Sequence, residues 1–202
     1  MSPSKLPRTK ATVVADFRRA QILDAARLSF AAHGLRGATV DHIAKRARVA
    51  KGTIYLYYRS KEHILSDVLA EGIKGLYAET VPPIAELATI SIKLTRFFGS
   101  TLAYFDRHRD FFYLCQSELD PDLRQRAGQQ LKAVYAAQTR AWELVLKTPR
   151  SAAGSRRAHQ AATMIVSLAF GLASQRVRGW LDGPIDDDVT AASALVWKGL
   201  GR

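Results

Sequence analysis

Lys51, Gly52, Thr53, Tyr55, Tyr57 and Lys61 fall within one short run, KGTIYLYYRSK, whose side chains suit recognition of a polyanion rather than bond-making. Ammonium groups neutralise phosphates, which fixes register and adds salt-sensitive affinity without naming a sequence. Lys51, Tyr57 and Lys61 fit that role. Thr53 and Tyr55 can meet base edges, and Gly52 lets a helix backbone approach the floor of a major groove. The run does this only as a helix in which Ile54 and Tyr58, four apart, turn inward.

Rival chemistry is weaker. His108-Arg109-Asp110 has the first three letters of a kinase catalytic loop, but that loop needs Asn five places after its Asp, where Cys115 stands. No glycine-rich phosphate loop precedes it, so the triplet reads as a charged helix junction. His33, His42, His63, His108 and His159 show no metal-ligand spacing. Asp186-Asp187-Asp188 are adjacent carboxylates, which do not converge on one ion and suit the acidic first turn of a helix. Cys115, beside Leu114 and aromatic neighbours, reads as an inert buried thiol, and a lone cysteine leaves no internal disulfide. No catalytic set, metal or cofactor is expected, and the chain is not read as an enzyme.

The elements that must position the run are helical. Thr39 suits an N-cap, with Asp41 in the first turn and Ile43, Ala44 and Ala47 on one face; Lys45 and Arg46 lie opposite. Arg48-Val49-Ala50 breaks the pattern, and a second helix is predicted over Lys51 to Tyr58. Ahead of them, a helix from Asp16 to His33 carries Ile22, Leu23, Ala26 and Phe30 inward and Arg18 and Arg19 toward the phosphates, with Gly34 as its stop. From Lys61, where helix amides point at an anion, the face Ile64, Leu65, Val68, Leu69, Ile73 and Leu76 continues to Pro82-Pro83. That helix would transmit movement between the reader and the remainder of the chain.

From Phe17 through Leu69 the chain resembles the N-terminal DNA-binding domain of the TetR family of transcriptional regulators. The shared features are a long first helix ending at glycine, a capping Thr39, an apolar-Ala-x-x-Ala core, and the block Lys51 to Lys61. Two departures stand out: Arg48 occupies the usual turn glycine, and Ala50 replaces a common serine, removing a cap and a phosphate contact. The resemblance implies a homodimer whose DNA-facing positions are Thr39, Ala50, Lys51, Gly52, Thr53, Tyr55, Tyr57 and Lys61. It also implies binding to a double-stranded operator, usually to repress, with release by a small, largely apolar effector in the C-terminal domain.

Charge agrees with a polyanionic partner. The chain carries a formal +12, and residues 1–60 hold 12 Lys or Arg against 3 Asp or Glu, so +9 lies on the reader. Residues 1–14 read as a basic flexible arm, 15–62 as the helix-turn-helix domain and 63–202 as a helical effector-binding and dimerisation domain. No membrane span or apolar leader is legible, which places the expected site of action in the cytoplasm.

Two constellations mark the C-terminal part, read as helices at about 85–107, 110–118, 121–147, 156–181 and 187–200 with a loop at 148–155. Phe97, Tyr104, Phe112, Tyr135, Trp142 and Phe170 could line a cavity, with Cys115 among them and Gln116 and Gln138 as polar anchors, although aromatics at helical spacing also simply fill cores. Ile165, Leu168 and Leu172, with Leu195 and Val196, offer apolar faces for a two-fold four-helix interface; burial within one chain is the plainer alternative.

The expected fold is all-α, a three-helix head on a larger helical body. The expected function is sequence-specific transcriptional regulation. A non-specific architectural DNA binder and a helical ligand-binding protein or enzyme are the rivals, separable by competition with scrambled DNA and by turnover.

Overall fold

The computed structural model describes residues 9–116, 121–146 and 152–200. Ten helices lie in these spans, with no strand among the described residues. Helix α1 (Lys10–Gly37) begins at Thr9, whose hydroxyl accepts the Thr12 N–H, so helix replaces the last residues of the arm expected to run to residue 14. Near its end Gly34 takes φ 66°, a left-handed value that breaks the helical path, and the Ala38 N–H closes back on the Gly34 carbonyl.

Helix α2 (Val40–Ala47) is capped by the Thr39 hydroxyl on the His42 N–H, and α3 (Lys51–Tyr55) ends three residues before the expected limit at Tyr58. Helix α4 (Lys61–Thr80) is capped by Ser60 and gives way to α5 (Pro82–Ala85), with Pro82 at its start. The body continues with α6 (Ile90–Arg107), α7 (Arg109–Gln116), α8 (Pro121–Leu146), α9 (Ala152–Val177) and α10 (Ile185–Gly199). Helix α9 starts at Ala152, inside the segment expected to be a loop, because nothing after Pro149 forbids helix.

One apolar core joins head and body through α4, whose Ile64, Leu65, Val68, Leu69, Ile73 and Leu76 are all buried. Helix α1 packs on α2 and α4, and α4 on α6 and α8. Close approach at the α4–α7 crossing depends on Gly72: a Cβ there would clash with the edge of the Phe111 ring at Cδ2. The Tyr104 hydroxyl donates to the Gly72 carbonyl, fastening α6 at the same place.

Candidate nucleic-acid interface

Helix α3 and the turn that follows it present two opposed faces. Ile54 is 0% and Tyr58 1% exposed, packed with Ile43, Ala44 and Ala47 of α2 and Ile22, Ala26 and Phe30 of α1. Tyr55 is 51% and Leu56 81% exposed, and Lys51 and Gly52 are also in solvent. Thr53 and Tyr57 are half-buried, at the edges of that outer face. Leu56 sits four residues after Gly52, at the centre of the outer face. Sequence reasoning missed it; the signal was a large aliphatic on a helix whose inward positions were already filled.

The head is held by polar closures. Val49 N–H bonds to the Ala44 carbonyl and Arg48 N–H to that of Lys45, a helix stop that puts Arg48 at φ 53°. Gln21 Nε2 of α1 donates to the Ala47 carbonyl at 2.8 Å, tying the turn to the first helix. Ala50 makes no side-chain cap. Lys51 Nζ reaches Asp41 Oδ2 at 2.8 Å; the hydrogen bond and charge of Asp41 raise the lysine's pKa, and both groups remain exposed.

Lys61, expected to hold a phosphate, is engaged within the chain. Its ammonium donates to the carbonyls of Leu35, at 2.8 Å, and Ala38, at 3.1 Å. Those carbonyls lie beyond the Gly34 break and lack helical partners, so Lys61 ties the start of α4 to the end of α1. Arg19 differs too, lying over the Tyr58 ring at 6.0 Å.

In the body, the residues expected to line a cavity separate into packed groups. Phe97 and Trp142 meet edge to face at 5.7 Å and are fully buried with Gln138. Gln138 Nε2 donates to Thr80 Oγ1, but Gln138 Oε1, Trp142 Nε1 and Thr101 Oγ1 have no partner among the described residues. Phe112 and Phe170 both pack against Phe105, and Tyr135 lies 4.1 Å from Phe170. Burial pushes the Cys115 thiol up to about 12, and burial with the charge of Cys115 does the same to Tyr135. Tyr104 packs edge to face on the same Phe105, at 5.7 Å, and also lines a groove against α1. The Gln116 side chain lies outside the described residues.

At the far end, Ile165 is 1% exposed and packed into its own chain's core, which removes it from the expected dimer face. Helix α9 lies against α6 and α8 and turns Ile165, Val166 and Ala169 inward. Leu168, Leu172 and Val196 are half-buried, Leu195 is 66% exposed, and the exposed Met164 joins that outer surface. No group of three or more His, Cys, Asp or Glu able to hold a metal occurs among the described residues, and no described helix is long and apolar enough to cross a membrane.

Comparison with known proteins places the opposed-face helix in context. Residues 22–68 match the family described as bacterial regulatory proteins, tetR family. The fatty acid metabolism regulator protein of Bacillus subtilis is 34% identical over 115 residues, spanning 55% of this chain and 59% of that protein. The activator FasR of Mycolicibacterium smegmatis is 29% identical over 206 residues, 98% of this chain and 87% of the relative. Among solved structures, FadR from Bacillus subtilis in complex with stearoyl-CoA shares the fold at TM-score 0.69 and 23% identity, covering 88% of this chain and 96% of that one. This chain spans under two thirds of the length of the first curated relatives it matches.

Proposed function

We propose, for a chain that belongs to the tetR family of bacterial regulatory proteins, a sequence-specific DNA-binding transcriptional regulator that acts in the cytoplasm and leaves its operator when an effector binds. The observation that carries this reading is the division of α3 and the turn after it, with Ile54 and Tyr58 anchored while Lys51, Gly52, Tyr55 and Leu56 face out. A rigidly held helix with one free face is what a major-groove reader requires. Thr39, Ala50, Thr53 and Tyr57 border it and complete the surface; the Lys61 side chain does not belong to it.

The chain acts as a homodimer through the outer faces of α9 and α10, where Met164, Leu168, Leu172, Leu195 and Val196 supply apolar surface. Two heads then address half-sites in successive major-groove turns. The effector is a long-chain acyl thioester or a related apolar molecule. Support comes from relatives named for fatty acid metabolism, from the stearoyl-CoA complex of the Bacillus subtilis FadR, and from an aromatic interior holding unpaired polar atoms at Thr101, Gln138 and Trp142. Binding works by population shift: an effector that prefers the form unable to bind DNA lowers operator affinity, and DNA lowers effector affinity equally.

A mobility-shift titration on the promoter adjoining the protein's own gene, against scrambled competitor, tests the reading. Expected are tight binding to one roughly palindromic site and release by stearoyl-CoA. Equal affinity for scrambled DNA would return the chain to the non-specific binders, and operator binding indifferent to saturating acyl-CoA would remove that effector class.

A further inference from the structure

A groove of about 740 Å3 lies between head and body, walled by α1 on one side and by α4 with the α6–α7 corner on the other. Its charge opposes that of the chain. Five carboxylates stand against three Lys or Arg, a formal −2 within a protein of +12. On α4, Asp67, Glu71 and Glu79 recur at multiples of four and form one row about 18 Å long at 1.5 Å per residue. Asp16 and Asp24 form a shorter row on α1, and Leu23 and Val68 give the groove an apolar lining between the rows.

Carboxylate rows alone describe many solvated surfaces. Tyr58 makes this one different. It lines the groove, is 1% exposed, and its hydroxyl is buried without a hydrogen-bond partner among the described residues. Asp67, Arg19 and Glu71, whose charges act on this hydroxyl, are all groove residues as well. Burial pushes its pKa up to about 12, which keeps it a neutral phenol able to accept a hydrogen bond. Asp67 makes no ion pair among the described residues.

We propose that this groove is a second ligand site, separate from the aromatic interior, and that it takes a short aliphatic polyamine. One ammonium group pairs with the Asp67 carboxylate and donates to the Tyr58 hydroxyl oxygen. The methylene chain lies over Leu23 and Val68, and the next ammonium meets Glu71 one helical turn along, displacing the exposed Lys74 from it. One wall belongs to the head and the other to the body, so an occupied groove holds α1 against α4.

Calorimetric titration of the full chain at low ionic strength, without DNA, tests the site with putrescine and spermidine as probes. Saturable binding of one molecule per chain is expected, tighter for spermidine. Tyr58→Phe keeps the ring and every charge, and removing an unpaired hydroxyl leaves the fold at least as stable, yet affinity should fall about tenfold. Asp67→Asn should weaken binding further, while Asp182→Asn, on an exposed turn away from the groove, leaves it unchanged. Absence of saturable binding overturns the proposal, as does equal affinity in the native protein, Tyr58→Phe and Asp67→Asn.

Discussion

Arg27, midway along α1, is ion-paired with Asp110, in the first turn of α7, and this partly buried contact joins the reading head to the body. Burial alone would lower the arginine's pKa; hydrogen bonds and charge from Asp24 and Asp110 outweigh it and raise the value. The Asp110 carboxylate also accepts the Phe111 N–H at 2.9 Å, so the same group fixes the start of α7. Asp110→Asn is expected to lower stability by about 1 kcal/mol, since a pair open to water on one side is only modestly favourable. It should also reduce the ratio of operator affinities measured without and with effector, leaving effector-free affinity nearly intact.

Leu56 and Ile54 sit two residues apart on opposite faces of the recognition element. Ile54→Ala should cost roughly 2–4 kcal/mol in denaturant unfolding, because it opens a cavity in the head. Leu56→Ala should leave the melting temperature within a degree or two and instead reduce discrimination at an A·T pair, where an aliphatic group meets the thymine methyl. Equal preference of Leu56→Ala and the native protein for the operator over single-pair variants would remove Leu56 from the reading face.

Lys61→Met keeps the side chain's length and removes the charge that closes the Leu35 and Ala38 carbonyls. Stability should fall by about 1–2 kcal/mol. The salt slope of operator binding should stay unchanged, because no phosphate contact is lost. A slope smaller by about one would show the ammonium on DNA after all.

Arg48 holds a left-handed backbone at φ 53° where glycine has no Cβ penalty. Arg48→Gly should stabilise the head by about 1 kcal/mol in chemical denaturation. Weaker operator binding with a shallower salt dependence in the same variant would assign the exposed guanidinium to a phosphate.

His108 sits beside the Arg27–Asp110 pair, with its pKa lowered first by burial and then by Arg27 and Arg107, against smaller opposing effects of Asp110 and Glu79. The unfolded chain therefore takes up a proton near the ordinary value of 6.5 while the folded one resists it. This contribution to stability is full above that pH and is lost as pH falls toward the lowered value. Melting temperature should drop between pH 7 and 5.5, and the drop should be smaller in His108→Gln.

The head was legible because its signals are local. Thr39 caps, Ile54 and Tyr58 are four apart, and inward spacing on α4 runs unbroken to Leu76. What escaped depends on distance in sequence. Lys61 reaches carbonyls 23 and 26 residues earlier, and no local pattern announces that a lysine at a helix start will turn back instead of outward. Ile165 and Leu195 look alike as apolar helical residues; only the packing of α9 against α6 and α8 separates an inner position from an outer one. The groove behind Tyr58 was invisible for the same reason, since its carboxylates come from helices that periodicity describes one at a time.

Gly72 leaves the α4–α7 crossing no slack, since any larger residue would have to evict the Phe111 ring. A saturation library at position 72 sorted for operator control should therefore return glycine almost alone, whereas exposed Gly52 has open space beside it and should tolerate alanine without loss of folding. Drift among descendants of this chain would be blocked at position 72 by packing alone.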